Sequence, residues 1–309
     1  MMQRATTNAA RKRLMLYGLL TPTTIFLGVF FLTPLVIMVI YSWLEPGLYG
    51  GVIWNFYDLN YGRILGWADF KYEKFDPVYL FIFLKSVRLA LTTVVLSLVI
   101  CYPAAFWISR MSDTKKNLFL FLITLPFFVS LIVRLFAWVL ILRPTGFLNQ
   151  FLMSIGIISE PLDLIFSDSA VIIGMTYVFI PFMFLPLYAS IEKLDISLTE
   201  ASADLGATRI QTFLRVIFPL TIPGIIGGSI IVFIPALGNF IVPSVLGGAK
   251  VLMIGNLIEQ QFLSARNWPF GSALGMMVMA SVLVLLIYYV RIMTREDALS
   301  TTPAVKEES

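Results

Sequence analysis

Long apolar stretches alternate with short polar segments along most of the chain, and this pattern predicts membrane-spanning helices. A helix needs roughly 20 mostly apolar residues to cross the hydrocarbon core of a bilayer. Six stretches reach that length, at residues 17–43, 79–108, 118–142, 170–191, 216–240 and 272–290. We therefore predict an all-α integral membrane protein, with a membrane domain at 17–293 between an N-terminal segment (1–16) and a disordered polar tail (294–309).

The distribution of Lys and Arg predicts the orientation of these helices. The polar segments on one side, 1–16, 109–117, 192–215 and 291–309, hold 13 of the 22 Lys and Arg residues. They are shorter than the loops on the other side, and such a density of basic residues is typical of cytoplasmic loops. We predict that both termini are cytoplasmic. The first stretch is expected to be an uncleaved span, since it is longer than the apolar core of a signal peptide.

Composition agrees with a membrane location and leaves little apparatus for catalysis. Apolar residues make up 59% of the 309 residues and charged residues only 13%, whereas soluble domains are about 25% charged. The chain contains no histidine, and its one cysteine, Cys101, lies in an apolar run. Histidine bases, histidine-ligated metals and internal disulfides are therefore excluded, and we predict no catalytic residue, metal or cofactor. The net charge of +4 lies in loops beside the spans, so it does not indicate a nucleic-acid partner.

The polar segment 192–215 contains signals for two short helices joined by a sharp turn. Ser197 followed three residues later by Glu200 matches a capping box, which would begin a helix there. Gly206 can adopt the left-handed conformation that ends such a helix. Thr208 can then cap a second helix that continues into the fifth span.

One face of the first short helix is suited to contact with another protein. Leu198, Ala201, Ser202 and Leu205 recur at helical spacing on that face, with small residues at its centre. A groove of a partner can close around such a face, as in other helix-in-groove contacts. A second interpretation stays open, in which Glu200 only caps the helix and the segment is an ordinary amphipathic loop.

The order of residues in this segment resembles the loop by which the membrane subunits of ABC importers contact their ATPase. Glu200, Ala201 and Ser202 are followed after three residues by Gly206 and after nine more by Val-Ile-Phe-Pro. The family pattern is EAA, three residues, G, nine residues, I-x-L-P. The resemblance implies the type I (MetI-like) permease fold. It also implies two ATP-binding subunits, a second similar permease and a soluble periplasmic binding protein as partners. The residues implied in contact with the ATPase are Ser197, Leu198, Glu200, Ala201, Ser202, Leu205, Gly206 and Arg209.

Other stretches resemble the spermidine and putrescine permeases within that family. They include DPVYLFIFLKS, VFIPALGNFIVPSVLGGAK and RNWPFGSAL, and the resemblance covers about residues 76–292. It implies a multi-pass protein of the bacterial inner membrane that carries a small cationic solute, with ATP hydrolysed in a separate subunit. Asn239 stands where some relatives carry an acidic residue, which leaves another small amine or opine-like solute open.

A few polar and aromatic residues inside or beside the predicted spans are candidates for the substrate pathway. A charge such as that of Arg134 costs about 2.5–3.5 kcal/mol in mid-bilayer, so it needs a partner helix, a carboxylate or water. Trp138 lies one turn further on the same face and is expected to stack on the guanidinium. Two prolines and a glycine around Asn239 predict a broken helix, a feature of transport pathways. Packing within the protein stays open as the alternative role. The full set is Arg134, Trp138, Tyr177, Phe182, Asn239, Phe240 and Glu259.

Two other classes of function remain as alternatives to an importer subunit. An ion-coupled secondary transporter would need intramembrane acids, and predicted spans two to six hold no Asp or Glu well inside them. A membrane enzyme would need catalytic groups, and the chain lacks both histidine and a G-x-x-x-x-G-K-[ST] motif. The longest loop outside the spans, 44–78, is rich in aromatic residues and is expected to hold surface-lying helices or a docking surface.

Overall fold

The computed structural model describes residue 15, residues 17–67 and residues 75–300, with the backbone only at 196 and 292–300. This described part is mostly helical, as predicted, and six of its helical segments are long and apolar enough to cross a membrane. They are Tyr17–Ser42, Val78–Ser109, Leu131–Ser154, Asp168–Glu192, Arg209–Leu237 and Trp268–Arg291. Residues 1–14 and 301–309, which belong to the predicted terminal segments, lie outside the described residues.

We number the helices and strands in chain order. The first group is α1 (Tyr17–Ser42), β1 (Leu44–Pro46), β2 (Val52–Phe56) and α2 (Leu59–Ile64). It is followed by α3 (Val78–Ser109), α4 (Asp113–Thr124), α5 (Leu131–Leu142), α6 (Phe147–Ser154) and α7 (Asp168–Glu192). The last group is α8 (Ile196–Asp204), α9 (Arg209–Leu237), α10 (Ile254–Leu263) and α11 (Trp268–Ser300). Wider π turns occur at Gly28–Leu32 in α1, at Phe213–Ile217 in α9 and at Pro243–Gly247.

The third span differs from the sequence prediction, which places one helix over 118–142. Helix α4 is followed by a short 3-10 turn, Leu125–Phe128, and α5 begins only after it. Pro126 lies in that turn and has no amide proton to donate to a helix, which explains the interruption. The apolar segment is completed instead by α6, after the turn at Pro144 and Gly146 that the sequence predicts.

Residues Pro77–Glu259 form one compact unit, whose core is the packing of α3, α7 and α9. Tyr102 of α3 and Thr221 of α9 share a buried hydrogen bond of 2.8 Å between their hydroxyls. Helix α9 comes close to α7 at Gly224, where an added Cβ would lie 2.3 Å from the Cβ of Ser190. Small residues at such contacts allow membrane helices to pack closely. On α7, buried side chains recur every four residues and form one continuous stripe, which consists of Val171, Met175, Phe179, Met183, Leu187 and Ile191.

Residues Met1–Asp76 and Gln260–Ser309 form the other compact unit. In its described part, α1 packs against α11, where the terminal methyl of Met38 lies beside Gly275. The chain then turns back in the two-stranded antiparallel hairpin β1–β2 and continues into the short helix α2. The long polar loop therefore contains a hairpin as well as the helix that the sequence predicts. Helix α11 continues to Ser300 and so includes the first residues of the segment that the sequence predicts to be disordered.

Candidate functional site

The hinge, which we define as residues 195–212, follows α7 and contains α8 and the first turn of α9. Its helix begins after Asp195, whose carboxylate accepts a hydrogen bond of 2.9 Å from the amide of Ser197. This bond lowers the pKa of the Asp195 carboxyl below its ordinary value. The predicted capping box of Ser197 and Glu200 is therefore wrong, because Asp195 caps the helix two residues earlier and Ser197 lies inside the first turn. Glu200 is exposed and has no capping role.

The end of α8 is fixed by a glycine, as the sequence predicts. Gly206 has a φ of +80°, which is in the left-handed region. Its amide donates to the carbonyl of Ala203 at 2.9 Å, and the amide of Ala207 donates to the carbonyl of Ser202 at 3.1 Å. These two bonds form a Schellman motif. A residue with a Cβ would be strained at this φ, although no atom lies within 4 Å of the position that a Cβ would take.

The second half of the hinge is capped at Thr208, as predicted. Its hydroxyl accepts from the amide of Gln211 at 3.3 Å, and the Gln211 side chain accepts from the amide of Thr208 at 2.8 Å, which makes a reciprocal capping box. The hydroxyls of Ser202 and Thr212 join the two helices at 3.0 Å, and Thr212 is buried. Ser202 is therefore turned towards the second helix, which corrects its predicted position on the exposed face.

Apolar side chains project outwards from the hinge. Leu205 is 89% exposed, and Leu198 and Ile210 are exposed as well. Exposed apolar side chains grouped on one segment are typical of a surface that contacts another protein. Seven of the eight residues predicted to contact an ATPase are exposed, while Ser202 is half-buried; the seven are Ser197, Leu198, Glu200, Ala201, Leu205, Gly206 and Arg209.

A small polar network braces the end of α7 immediately before the hinge. Lys116 on α4 lies 3.3 Å from a carboxylate oxygen of Glu192, and the Tyr188 hydroxyl donates to the same oxygen at 2.7 Å. A cavity of about 500 Å³ lies beside this network, and its lining includes Asp195 and Glu200 from the hinge. Sequence reasoning missed the network, because Lys116 and Glu192 are 76 residues apart and neither belongs to a motif.

Arg134 lies half-buried on α5 and contacts an aromatic pair. Its guanidinium carbon is 5.9 Å from the centroid of the Tyr177 ring, and Trp138 packs edge-on against that same ring at 5.6 Å. The ring beneath the guanidinium is therefore that of Tyr177, whereas the sequence predicts Trp138. The Nε atom of Arg134 is buried without a hydrogen-bond partner, and none of the ion pairs found among the described residues includes Arg134.

The predicted break in the fifth span is confirmed. Helix α9 ends just before Gly238, and the side chain of Asn239 accepts a hydrogen bond of 2.9 Å from the amide of Val242, where the chain resumes helical winding. Asn256 of α10, which sequence reasoning missed, donates to the carbonyl of Phe240 at 2.9 Å. Backbone groups freed by the break thus find partners among nearby side chains, as they must at membrane depth.

The two remaining pathway candidates are Phe182 and Glu259. Among the described residues, neither belongs to the cluster that contains Arg134. Phe182 is 38% exposed, and its ring packs against those of Phe127 at 5.3 Å and Phe179 at 6.0 Å. Glu259 lies half-buried on α10. The structure therefore brings together the Arg134–Trp138–Tyr177 group and, separately, the polar groups at the break in α9.

Residues 101–295 match the protein family described as binding-protein-dependent transport system inner membrane component. The chain is 43% identical over 231 residues to the spermidine/putrescine transport system permease protein PotB of Escherichia coli (strain K12), a match that covers 74% of this chain and 80% of that protein. Its fold is similar, with a TM-score of 0.66 at 18% identity, to a chain of a bacterial ABC transporter involved in the import of the acidic polysaccharide alginate, over 94% of this chain and 99% of that one. A chain of the bacterial alginate ABC transporter in complex with an alginate pentasaccharide-bound periplasmic protein matches with a TM-score of 0.63 at 18% identity, over 96% and 99% of the two chains.

Proposed function

The chain belongs to the family of binding-protein-dependent transport system inner membrane components, and on that premise we propose that it is the permease subunit of an ATP-driven importer for polyamines such as spermidine or putrescine. The family and the fold that the sequence resemblance implies are confirmed by the matches. The choice of solute is supported by the relative at 43% identity, whose name specifies spermidine and putrescine.

The observation that carries the proposal is the construction of the hinge. Helix α8 is short, exposed and closed at both ends, by Asp195 at its start and Gly206 at its end. The hydroxyl bond between Ser202 and Thr212 joins it to the helix that follows. Satisfied backbone groups at each end stabilise the helical conformation of this segment. The segment therefore suits a role in which a separate ATPase subunit grips it and pushes.

The connections of the hinge explain how such a push would reach the membrane. On one side only three residues, 193–195, separate α8 from α7, and on the other side four residues, 205–208, separate α8 from α9. These two spans pack against each other and against α3. Movement of α8 therefore shifts the near ends of α7 and α9 together, which is the rigid-body motion expected for alternating access.

The assembly we propose contains two ATP-binding subunits, a second permease and a periplasmic binding protein, and this chain supplies no catalytic group. Both termini and the hinge lie on the cytoplasmic side, where the ATPases would bind. Support for the orientation comes from the polar segments on that side, 1–16, 109–117, 192–215 and 291–309, which together hold 13 of the 22 Lys and Arg residues. Support for the binding protein comes from the alginate transporter of similar fold, whose structure contains a periplasmic protein.

The route of the solute is proposed to pass the aromatic pair Trp138 and Tyr177 and the break at Asn239 and Phe240. Aromatic faces attract alkylammonium groups, and the break leaves polar groups at membrane depth. Arg134 already lies over the Tyr177 ring. We therefore assign Arg134 the positioning of that ring rather than direct binding of a cationic solute, which it would repel. Phe182, in the middle of α7, and Glu259, on α10, stay candidates for contact with the solute along the route.

Uptake by the purified importer in proteoliposomes tests the proposal. The chain is reconstituted with its second permease and ATPase subunits, and labelled spermidine or putrescine is supplied with the binding protein outside and ATP inside. We expect uptake that requires both ATP and the binding protein and that disappears when the ATPase subunits cannot hydrolyse ATP. Uptake driven by a sodium or proton gradient without ATP would establish a secondary transporter instead. Uptake of another small amine, with neither polyamine carried, would show that the proposed solute is wrong but would still support an ATP-driven importer.

A further inference from the structure

The hairpin β1–β2 exposes aromatic side chains at the point where the chain leaves its first span. Trp54 is 78% exposed and Phe56 is 70% exposed, and both lie on β2. Trp43, the residue that follows α1, stacks on the Phe56 ring with centroids 5.4 Å apart. Two large aromatic side chains left this open beside a membrane span need an environment that covers them.

One face of the hairpin is entirely apolar, and the other, called here the polar face, carries Glu45 and Asn55 beside Ile53. Successive residues of a strand point to opposite faces, and the pairing of Leu44 with Phe56 and of Glu45 with Ile53 keeps that alternation through the bulge between the two pairs. The side chain of Asn55 donates to the carboxylate of Glu45 at 3.0 Å, which places both on the polar face. The opposite face carries no charged residue and consists of Leu44, Pro46, Val52, Trp54 and Phe56.

The position of this apolar face relative to α1 is fixed by hydrogen bonds. The Asn60 side chain, which is buried, donates to the carbonyls of Ser42 at 3.1 Å and Leu44 at 3.0 Å. The Tyr61 hydroxyl donates to the hydroxyl of Ser42 at 2.8 Å. Phe56 pairs with Leu44, two residues beyond the end of α1, so the apolar face begins where the span ends.

The length of the hairpin is comparable with the depth of the lipid headgroup region. That region is roughly 5–8 Å deep on each side of the hydrocarbon core. A strand advances about 3.3 Å per residue, so Phe56 lies level with the first residues past the span and Trp54 roughly 7 Å further along. Within its own chain, α1 has no buried residue in its most apolar window, so much of its apolar surface is left open to the surroundings. The hairpin continues that surface with the aromatic residue types that are enriched at membrane interfaces.

We propose that the β1–β2 hairpin is an interfacial anchor, whose apolar face inserts Trp54 and Phe56 among the lipid headgroups of the leaflet that borders Ser42. A docking surface for a protein is the competing role for this part of the chain. The absence of any charged side chain from the apolar face, and its position directly after the open apolar surface of the span α1, favour lipid.

Site-directed spin labelling distinguishes these roles in the full-length chain reconstituted in phospholipid bilayers. The native thiol of Cys101 is 1% exposed and is first removed with Cys101→Ala, so that one label can be attached to Trp54→Cys and, in a second variant, to Asn55→Cys. Asn55 is the matched control, because it is the adjacent residue, is also exposed and points to the polar face. Collisions of the label with oxygen, which concentrates in lipid, are compared with collisions with a water-soluble nickel chelate.

We expect the oxygen-to-nickel collision ratio to be severalfold higher at position 54 than at position 55. Equal ratios at the two positions, with free access of the nickel chelate to both, would overturn the proposal. A label at position 54 that is open to nickel until a periplasmic binding protein is added would overturn it as well, and would assign the face to protein docking. If Trp54→Cys fails to insert, the same comparison is made with Phe56→Cys, which is on the same face.

Discussion

Replacement of Gly206 by alanine is the sharpest test of the hinge as the element that couples ATP hydrolysis to transport. The residue has a φ of +80°, and the position of an added Cβ is free of other atoms within 4 Å. Gly206→Ala therefore introduces no clash, and its whole effect is conformational. A residue with a Cβ pays roughly 1–2 kcal/mol in the left-handed region, which lowers the population of the native turn by a factor of about 5–30 relative to alternative conformations.

A matched control is available in the same part of the chain. Gly227 lies inside α9, and again no atom lies within 4 Å of the Cβ that alanine would add. Its backbone is helical, so Gly227→Ala is neutral or stabilising by about 1 kcal/mol. The two variants thus add the same methyl group to open space, and only one of them strains the backbone.

The assay measures ATP hydrolysis and polyamine uptake by the same proteoliposomes, together with the melting temperature of the purified complex. We expect Gly206→Ala to reduce the number of solute molecules carried per ATP severalfold, with membrane insertion unchanged, and Gly227→Ala to behave as the wild type. Wild-type coupling in Gly206→Ala would refute the reasoning, because the turn would then not need its glycine. An equal loss in Gly227→Ala would show that added methyl groups in this region act through packing.

Three further outcomes follow from the structure. Because the pKa of the Asp195 carboxyl is lowered in the folded hinge, its cap is complete above the ordinary aspartate pKa of about 3.9 and is lost as the pH falls through the lower folded value. The protection factor of the Ser197 amide, which is its exchange rate corrected for the intrinsic rate at each pH, should stay constant from neutral pH down to that range and then fall, and Asp195→Asn should remove that fall. Gly224→Ala places a Cβ 2.3 Å from that of Ser190 and should destabilise the complex by about 1–3 kcal/mol, with part of the melting temperature restored by Ser190→Gly. Arg134→Met should lower uptake without lowering the melting temperature, since no ion pair among the described residues is lost; a lower melting temperature with unchanged uptake would contradict the positioning role.

The sequence was sufficient for the features that depend on local chemistry or on hydropathy. Five of the six spans, the left-handed glycine at 206 and the cap at Thr208 follow from rules that involve neighbours along the chain. The start of α8 was misplaced because two capping patterns overlap there. Asp195 and Ser197 are both good N-caps, and only the folded backbone shows that the carboxylate of Asp195 reaches the amide of Ser197.

Features that depend on distant residues were beyond the reach of the sequence. The contact between Lys116 and Glu192 joins helices that are far apart in the chain. The approach of Arg134 to Tyr177 depends on how α5 lies against α7, which periodicity does not specify. The third span was misplaced for a different reason. Hydropathy measures the length of an apolar stretch, whereas Pro126 decides whether that stretch is one helix.

The π turn Phe213–Ile217, at the junction of the hinge and the membrane part of α9, contains one residue more than an α-helical turn needs. Rewinding that residue into α-helical register would rotate the hinge side of the junction by about 100° and translate it by about 1.5 Å along the axis. Backbone hydrogen bonding continues in either winding, so the junction can adjust the phase of one helical part against the other. The direction in which Leu205 points can thus change while the buried side chains of α9 beyond the π turn keep their places.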